Sequence, residues 1–158
     1  MELTEFEYNK QELLRLMQIL KKGNPTILWL DDERNPNDTY PSTFGYEPGE
    51  YRPTWVEGIV GKRNPGDWNV VWVTSYEEFT KYIRENPIPD IVCFDHDLGE
   101  QRTGKDAANE LVDILALEGT LGPVVRSQSS NPAGAANIIG LFMNWWKHCK
   151  FVQLEEMK

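Results

Sequence analysis

The sequence predicts an α/β fold: a flavodoxin-like, doubly wound parallel sheet with an extra N-terminal helix and an aromatic, proline-rich insertion after the first strand. Three observations predict it. Short runs of strand-forming residues (TILWL, NVVWV, IVCF, PVVRS) alternate with helical patterns after the first strand, which implies parallel strands joined by right-handed crossovers. Most of those runs are apolar throughout rather than alternating, as in strands covered on both faces. The chain has 158 residues, enough for a single core and one domain spanning 1–158.

Taken in order, residues 6–22 place Leu13, Leu16, Met17 and Leu20 at the i, i+3, i+4, i+7 spacing of one helical face, closed by Gly23 and Pro25. Thr26 to Leu30 forms the first strand. Residues 35–68 then change character, with Pro36, Pro41, Pro48, Pro53, Pro65 and the aromatics Tyr40, Phe44, Tyr46, Tyr51, Trp55 and Trp68. A stretch this long without periodicity is unusual in a compact domain unless it does something. It is expected to pack on itself, with a hairpin around VEGIVGKRN, either as a substrate lid or as a cover for the sheet.

Asn69 to Val73 is the second strand. Ser75 caps a helix running to about Glu85, with Glu78 completing a capping box, and Pro87 and Pro89 end it. Ile91 to Phe94 is the third strand. A helix from about Gly104 to Glu118 turns Ala107, Ala108, Leu111, Val112, Ile114 and Leu115 inward. Pro123 to Ser127 is the fourth strand, and Asn131-Pro132 opens a last helix to about Lys147. The expected strand order is 2-1-3-4.

The net charge of −9 argues against a protein that coats duplex nucleic acid, since phosphate backbones are bound by surplus Lys and Arg. It leaves room for a small anionic substrate if a cation reverses the local potential. No apolar run reaches the roughly 18 residues of a membrane span, and the amphipathic N-terminus does not read as a signal peptide. Cys93 and Cys149 have no metal-ligand spacing and read as reduced thiols of a cytoplasmic protein. His148 reads as a helix C-terminal or surface residue. Oligomeric state stays open, a homo-oligomer included.

Ligands in open α/β sheets bind beyond the carboxyl ends of the strands, where strand order reverses. Three strands here end in unusual polar sequence: Asp31-Asp32-Glu33-Arg34, Asp95-His96-Asp97, and Ser127-Gln128-Ser129-Ser130-Asn131. Carboxylates converging on one point repel unless a cation holds them. Hard oxygen donors without thiolate suit Mg²⁺, Mn²⁺ or Ca²⁺, with Asp31 or Asp32 joining Asp95 as ligands. A rim of acidic residues that never meet is the plain alternative. His96, flanked by two aspartates, is expected to serve as a general acid, or else to bond a loop carbonyl. Ser129 and Asn131 at a well-capped helix start, with Gln128, Arg126 and Arg34, are candidates for holding phosphate oxygens.

WLDDERNP (Trp29 to Pro36), FDHDLG (Phe94 to Gly99) and SSNPAGAANI (Ser129 to Ile138) together resemble the cyclic-phosphate processing receiver-like domain family of bacteria and their phages, derived from the receiver fold of response regulators. The resemblance covers about Thr26 to Leu141. It implies a receiver-like sheet, a role in processing cyclic phosphates on RNA or nucleotides, and a bacterial or phage-infected cytoplasm. The family's acidic pair falls on Asp31 and Asp32, its Arg on Arg34, its Asp-His-Asp on Asp95, His96 and Asp97, and its Ser-x-Asn-Pro on Ser129, Asn131 and Pro132. The family usually carries a histidine just before that serine, and this chain has Gln128.

These readings lead to one expectation: a metal-dependent phosphodiesterase that opens 2′,3′-cyclic RNA ends or cyclic nucleotides. Asp31, Asp32 and Asp95 would hold Mg²⁺ or Mn²⁺. His96, Asp97 and Asp95 would be catalytic, and Arg34, Arg126, Gln128, Ser129 and Asn131 would hold the substrate. A non-catalytic cyclic-nucleotide binder, such as a phage protein that sequesters a defence signal, is the alternative from another class. A phosphoacceptor receiver with Asp95 as acceptor is a third, though FVQL near the C-terminus could supply at most a stub of that fold's fifth strand.

Overall fold

The computed structural model describes residues 2–61 and 67–157. Among them, the elements run α1 (Glu5–Lys22), β1 (Thr26–Leu30), α2 (Trp55–Val60), β2 (Asn69–Val73), α3 (Tyr76–Glu85), β3 (Ile91–Phe94), α4 (Gly104–Glu118), β4 (Val124–Ser127) and α5 (Pro132–Glu156). The strands form one parallel sheet in the order β2-β1-β3-β4. The chain reverses its direction of travel across the sheet at β1 and β3, so the carboxyl ends of these two central strands lie side by side, with Leu30 paired to Phe94.

Strand alternation divides the core into two layers. Leu28, Leu30, Val92, Phe94 and Val125 face α3, α4 and α5, where Phe79, Leu111, Ile138 and Phe142 fill the space. Ile27, Trp29, Ile91, Cys93 and Val124 face α1 and α2 and meet Leu16, Val56 and Val60. Burial pushes the Cys93 thiol up to about 12, so it stays an inert core residue. Cys149 is half-buried on α5. No helix of the described residues is long and apolar enough to cross a membrane.

Several expectations need correction. The buried side of α1 carries Tyr8, Glu12 and Leu16, while Leu13 and Met17 are 54% and 58% exposed. The helix is rotated because its contacts are partly polar. Tyr8 sits edge-on to Trp146 of α5 at 5.6 Å, and Arg15 bridges Glu12 and the Gly122 carbonyl. The α3 capping box is incomplete: Ser75 accepts from the Glu78 N–H, but the Glu78 carboxylate accepts from Thr74, one residue earlier. Helix α5 runs past Lys147 to Glu156, so FVQL is helical and contributes no strand. No Gly or Pro follows Gly140 to stop it. His148 is therefore not at a helix end but is the exposed surface residue of the other expectation, stacked on Trp145.

The insertion holds a helix, not the expected hairpin. Thr54 and Glu57 form a reciprocal capping box that starts α2 at Trp55, while residues 62–64 of the expected hairpin lie outside the described residues. Val56 and Val60 are buried beneath the sheet, which makes α2 part of the core rather than a lid hinged over it. Replacing Val56 or Val60 by Ala should each lower the unfolding free energy by about 2 kcal/mol in urea titrations. A loss under about 0.5 kcal/mol, as at an ordinary surface position, would show that the insertion is not core.

Candidate functional site

The β1 strand ends by tying a knot around one carboxylate. Asp31 Oδ1 accepts the backbone N–H groups of Glu33 and Arg34 at 2.9 and 2.8 Å, which folds Asp31-Asp32-Glu33-Arg34 back over the strand end. Two indoles fasten the same loop. Trp29 Nε1 donates to the Arg34 carbonyl at 2.9 Å, and Trp72 Nε1 donates to the Asp31 carbonyl at 2.8 Å. Asp31 is 1% exposed, yet its second oxygen, Oδ2, has no hydrogen-bond partner among the described residues. A buried carboxylate oxygen left bare is costly.

The Asp31 carboxylate belongs to a cluster. Asp31, Asp32 and Asp95 offer carboxylate oxygens that all lie within 4.8 Å of one another. Burial, then the charges of Asp31 and Asp32, push the Asp95 carboxyl up to about 6, against the opposing pull of Arg34 and a hydrogen bond with Ser129. The bare oxygen of Asp31 and the mutual repulsion fit a divalent cation held by these three residues. The three carboxylates open into a cleft of about 310 Å³, also lined by Glu33, Arg34, Asp97, Gly99 and Ser130.

Arg34 reaches the cleft from a fixed position. Its Nη1 donates to the Gln128 carbonyl, and its guanidinium lies over the Trp55 ring, with Cζ 4.8 Å from the centroid. On the opposite rim, Asp97 accepts from His96 Nδ1 at 2.9 Å and from Asn131 Nδ2 at 3.3 Å. The bond to His96, reinforced by the one from Asn131, holds the Asp97 carboxyl below the usual carboxylate range.

His96 itself stands beside the cleft rather than among its lining residues. Its ring packs against the first turn of α5, where a Cβ on Gly134 would come 2.3 Å from the imidazole. Gly104 does the same for the strand end. Its N–H donates to the His96 carbonyl at 2.8 Å, and a Cβ there would run into the Asp95 carbonyl oxygen at 1.8 Å. Both helices approach so closely only because these positions carry no side chain.

The phosphate-holding set divides differently from the expectation. Ser129 supports Asp95 and accepts the Asn131 N–H, while Asn131 caps α5 through Gly134 N and steadies Asp97, so both brace carboxylates. Gln128 is 7% exposed, and its Nε2 donates to the Leu30 carbonyl at 3.0 Å, so its side chain staples β4 to β1 under the site and does not face the cleft. Arg126 points away altogether. It occupies a separate groove with Tyr8 and Glu12, and its Nη1 donates to the Val125 carbonyl on the free edge of β4. Adjacent strand residues face opposite sides, and position 126 falls on the α1 side. Sequence reasoning missed Glu33, Gly99 and Ser130 as lining residues. Their only signal was adjacency to the three polar strand ends.

Residues 26–144 match the family model of the cyclic-phosphate processing receiver domain. The chain belongs to that family. No curated protein and no solved structure matches it.

The raised Asp95 pKa has a consequence for metal-free protein. The folded state keeps its proton up to about pH 6, whereas an unfolded aspartate releases it near pH 3.9. The folded form thus binds more protons in that window, and its stability falls as pH rises through it. In chelator-treated protein the Tm should drop between about pH 4 and 6, and Asp95→Asn should flatten that slope. An equal slope in the variant would assign the titration to another group.

Proposed function

We propose that this member of the cyclic-phosphate processing receiver family is a metal-dependent phosphodiesterase that hydrolyses a cyclic phosphate on a nucleotide or RNA end. The observation that carries the reading is the meeting of Asp31, Asp32 and Asp95, with one bare buried oxygen, beside the anchored guanidinium of Arg34 in a single cleft. Carboxylate donors without thiolate suit Mg²⁺ or Mn²⁺. When bound, the cation would supply positive charge opposite the phosphate.

The chain's own groups account for the rest. Arg34 presents planar donors to the phosphate oxygens, and the exposed Ser130 lines the same cleft. As a water oxygen adds to phosphorus and releases its proton to bulk water, the bond to the ring oxygen breaks, and that leaving oxygen needs a proton. His96 is the residue to give it. Asp97 on Nδ1 orients the ring. Because His96 stands behind the rim, the leaving oxygen has to approach on the Asp97 side.

A second reading, a binder that holds the cyclic phosphate intact, is favoured by two observations. No histidine lines the cleft as described, and Gln128 stands where the family pattern has a histidine. Incubation with Mn²⁺ and a panel of 2′,3′-cyclic mononucleotides and cyclic dinucleotides separates the two. The hydrolase returns linear product, and the binder returns unchanged ligand on denaturation.

For the hydrolase, His96→Ala should lower kcat by about a hundredfold or more with KM little changed. Full turnover in that variant would eliminate His96 as the acid. Mn²⁺ should raise the Tm of the wild-type protein, and Asp31→Asn should abolish most of that rise. An equal rise in D31N would place the cation elsewhere.

A further inference from the structure

We propose that the aromatic insertion is a clamp for the phosphate-binding arginine, with Trp55 as a positioning residue that holds the Arg34 guanidinium in its working orientation. The inference rests on the reading of the cleft given above and adds the part played by a segment to which that reading gives no role.

Arg34 is restrained from three directions. Its backbone is fixed by Asp31 Oδ1 and by Trp29 Nε1, and its Nη1 donates to the Gln128 carbonyl. The third restraint is the Trp55 ring, over which the guanidinium lies with Cζ 4.8 Å from the centroid. Its electron-rich face attracts the cation and leaves the planar donors free to point sideways. No carboxylate lies within 4.0 Å of the Arg34 side-chain nitrogens among the described residues. A carboxylate partner would tie up the same donors that a phosphate needs, whereas an aromatic face holds the cation without using them.

Trp55 is in turn prevented from swinging away. Tyr40 and Phe44 meet its ring edge-on at 4.7 and 5.9 Å, and the Trp55 N–H donates to the Asp38 carbonyl at 2.9 Å. Thr54 and Glu57 fix the start of α2, and Val56 next to Trp55 is buried in the core. Tyr40 and Phe44 thus pack on Trp55, and Trp55 on Arg34. The order of support runs from core to helix, from helix to indole, and from indole to arginine. A long arginine side chain held this way loses little further freedom on binding.

The test compares Trp55→Leu with Trp55→Phe. In the wild-type protein, the Arg34 Nε–H resonance should be shifted upfield by the indole ring current and should exchange slowly with solvent. W55L should return it to an ordinary position and raise KM for a cyclic mononucleotide on the order of tenfold, with kcat little changed. W55F should recover most of both effects. Mn²⁺ affinity equal to wild type in W55L shows that the carboxylate cleft has kept its fold.

An unchanged Nε–H resonance or an unchanged KM in a folded W55L protein overturns the clamp while leaving the phosphodiesterase reading intact. Wild-type protein that neither binds nor hydrolyses any cyclic phosphate overturns the reading itself, and the clamp with it.

Discussion

The site is organised around a buried carboxylate whose two oxygens have opposite fates. Asp31 Oδ1 takes two backbone N–H groups and so makes the turn that carries Asp32, Glu33 and Arg34. Asp31 Oδ2 is buried with no hydrogen-bond partner among the described residues, in a residue whose carboxylate clusters with those of Asp32 and Asp95. The first oxygen shapes the turn and the second is left for a cation to hold, and the two roles are separable. A neutral amide could still accept the loop's hydrogen bonds through its oxygen. It could not supply the negative charge that a cation needs.

Around that residue, the two faces of the sheet do different work. On the α3–α5 side, close helix approach at Gly104 and Gly134 presses backbone and small residues against Asp95 and His96, fixing the acidic strand end from behind. On the α1–α2 side, the packing is more polar and more aromatic. There the insertion sends Val56 and Val60 into the core and Trp55 toward Arg34. The cleft lies where these two kinds of packing meet, at the carboxyl ends of β1 and β3. This is also where the strand order reverses, leaving an opening that no crossover helix covers.

The β4 edge shows how a small parallel sheet manages an unpaired side. Val124, Arg126 and Gln128 direct their backbone groups toward β3, which leaves those of Val125 and Ser127 facing outward. The Arg126 guanidinium folds over this edge onto the Val125 carbonyl, and α1 lies alongside. A charged side chain and a covering helix are both ways of discouraging further strand pairing. The arginine that sequence reasoning placed with the phosphate is better understood as part of this protection.

The sequence by itself determined the strands, the strand order, most helix starts, and the three polar segments that converge on the cleft. Continuous apolar runs, Ser, Thr and Asn caps, and the position of strand ends in a doubly wound sheet are local or topological properties, and the chain states them directly. The inward face of α4 was also legible, but elsewhere only the tertiary structure decided which side chains face inward. The rotation of α1 depends on Tyr8 meeting Trp146 and on the Glu12–Arg15 pair, which helical spacing cannot show. Arg126 and Gln128 left the candidate binding set because strand alternation and burial send them elsewhere. Trp55 and Arg34 are far enough apart in sequence that only folding the insertion onto the sheet brings indole and guanidinium together. Periodicity records what each segment prefers on its own, whereas these contacts are set by which segments share a surface.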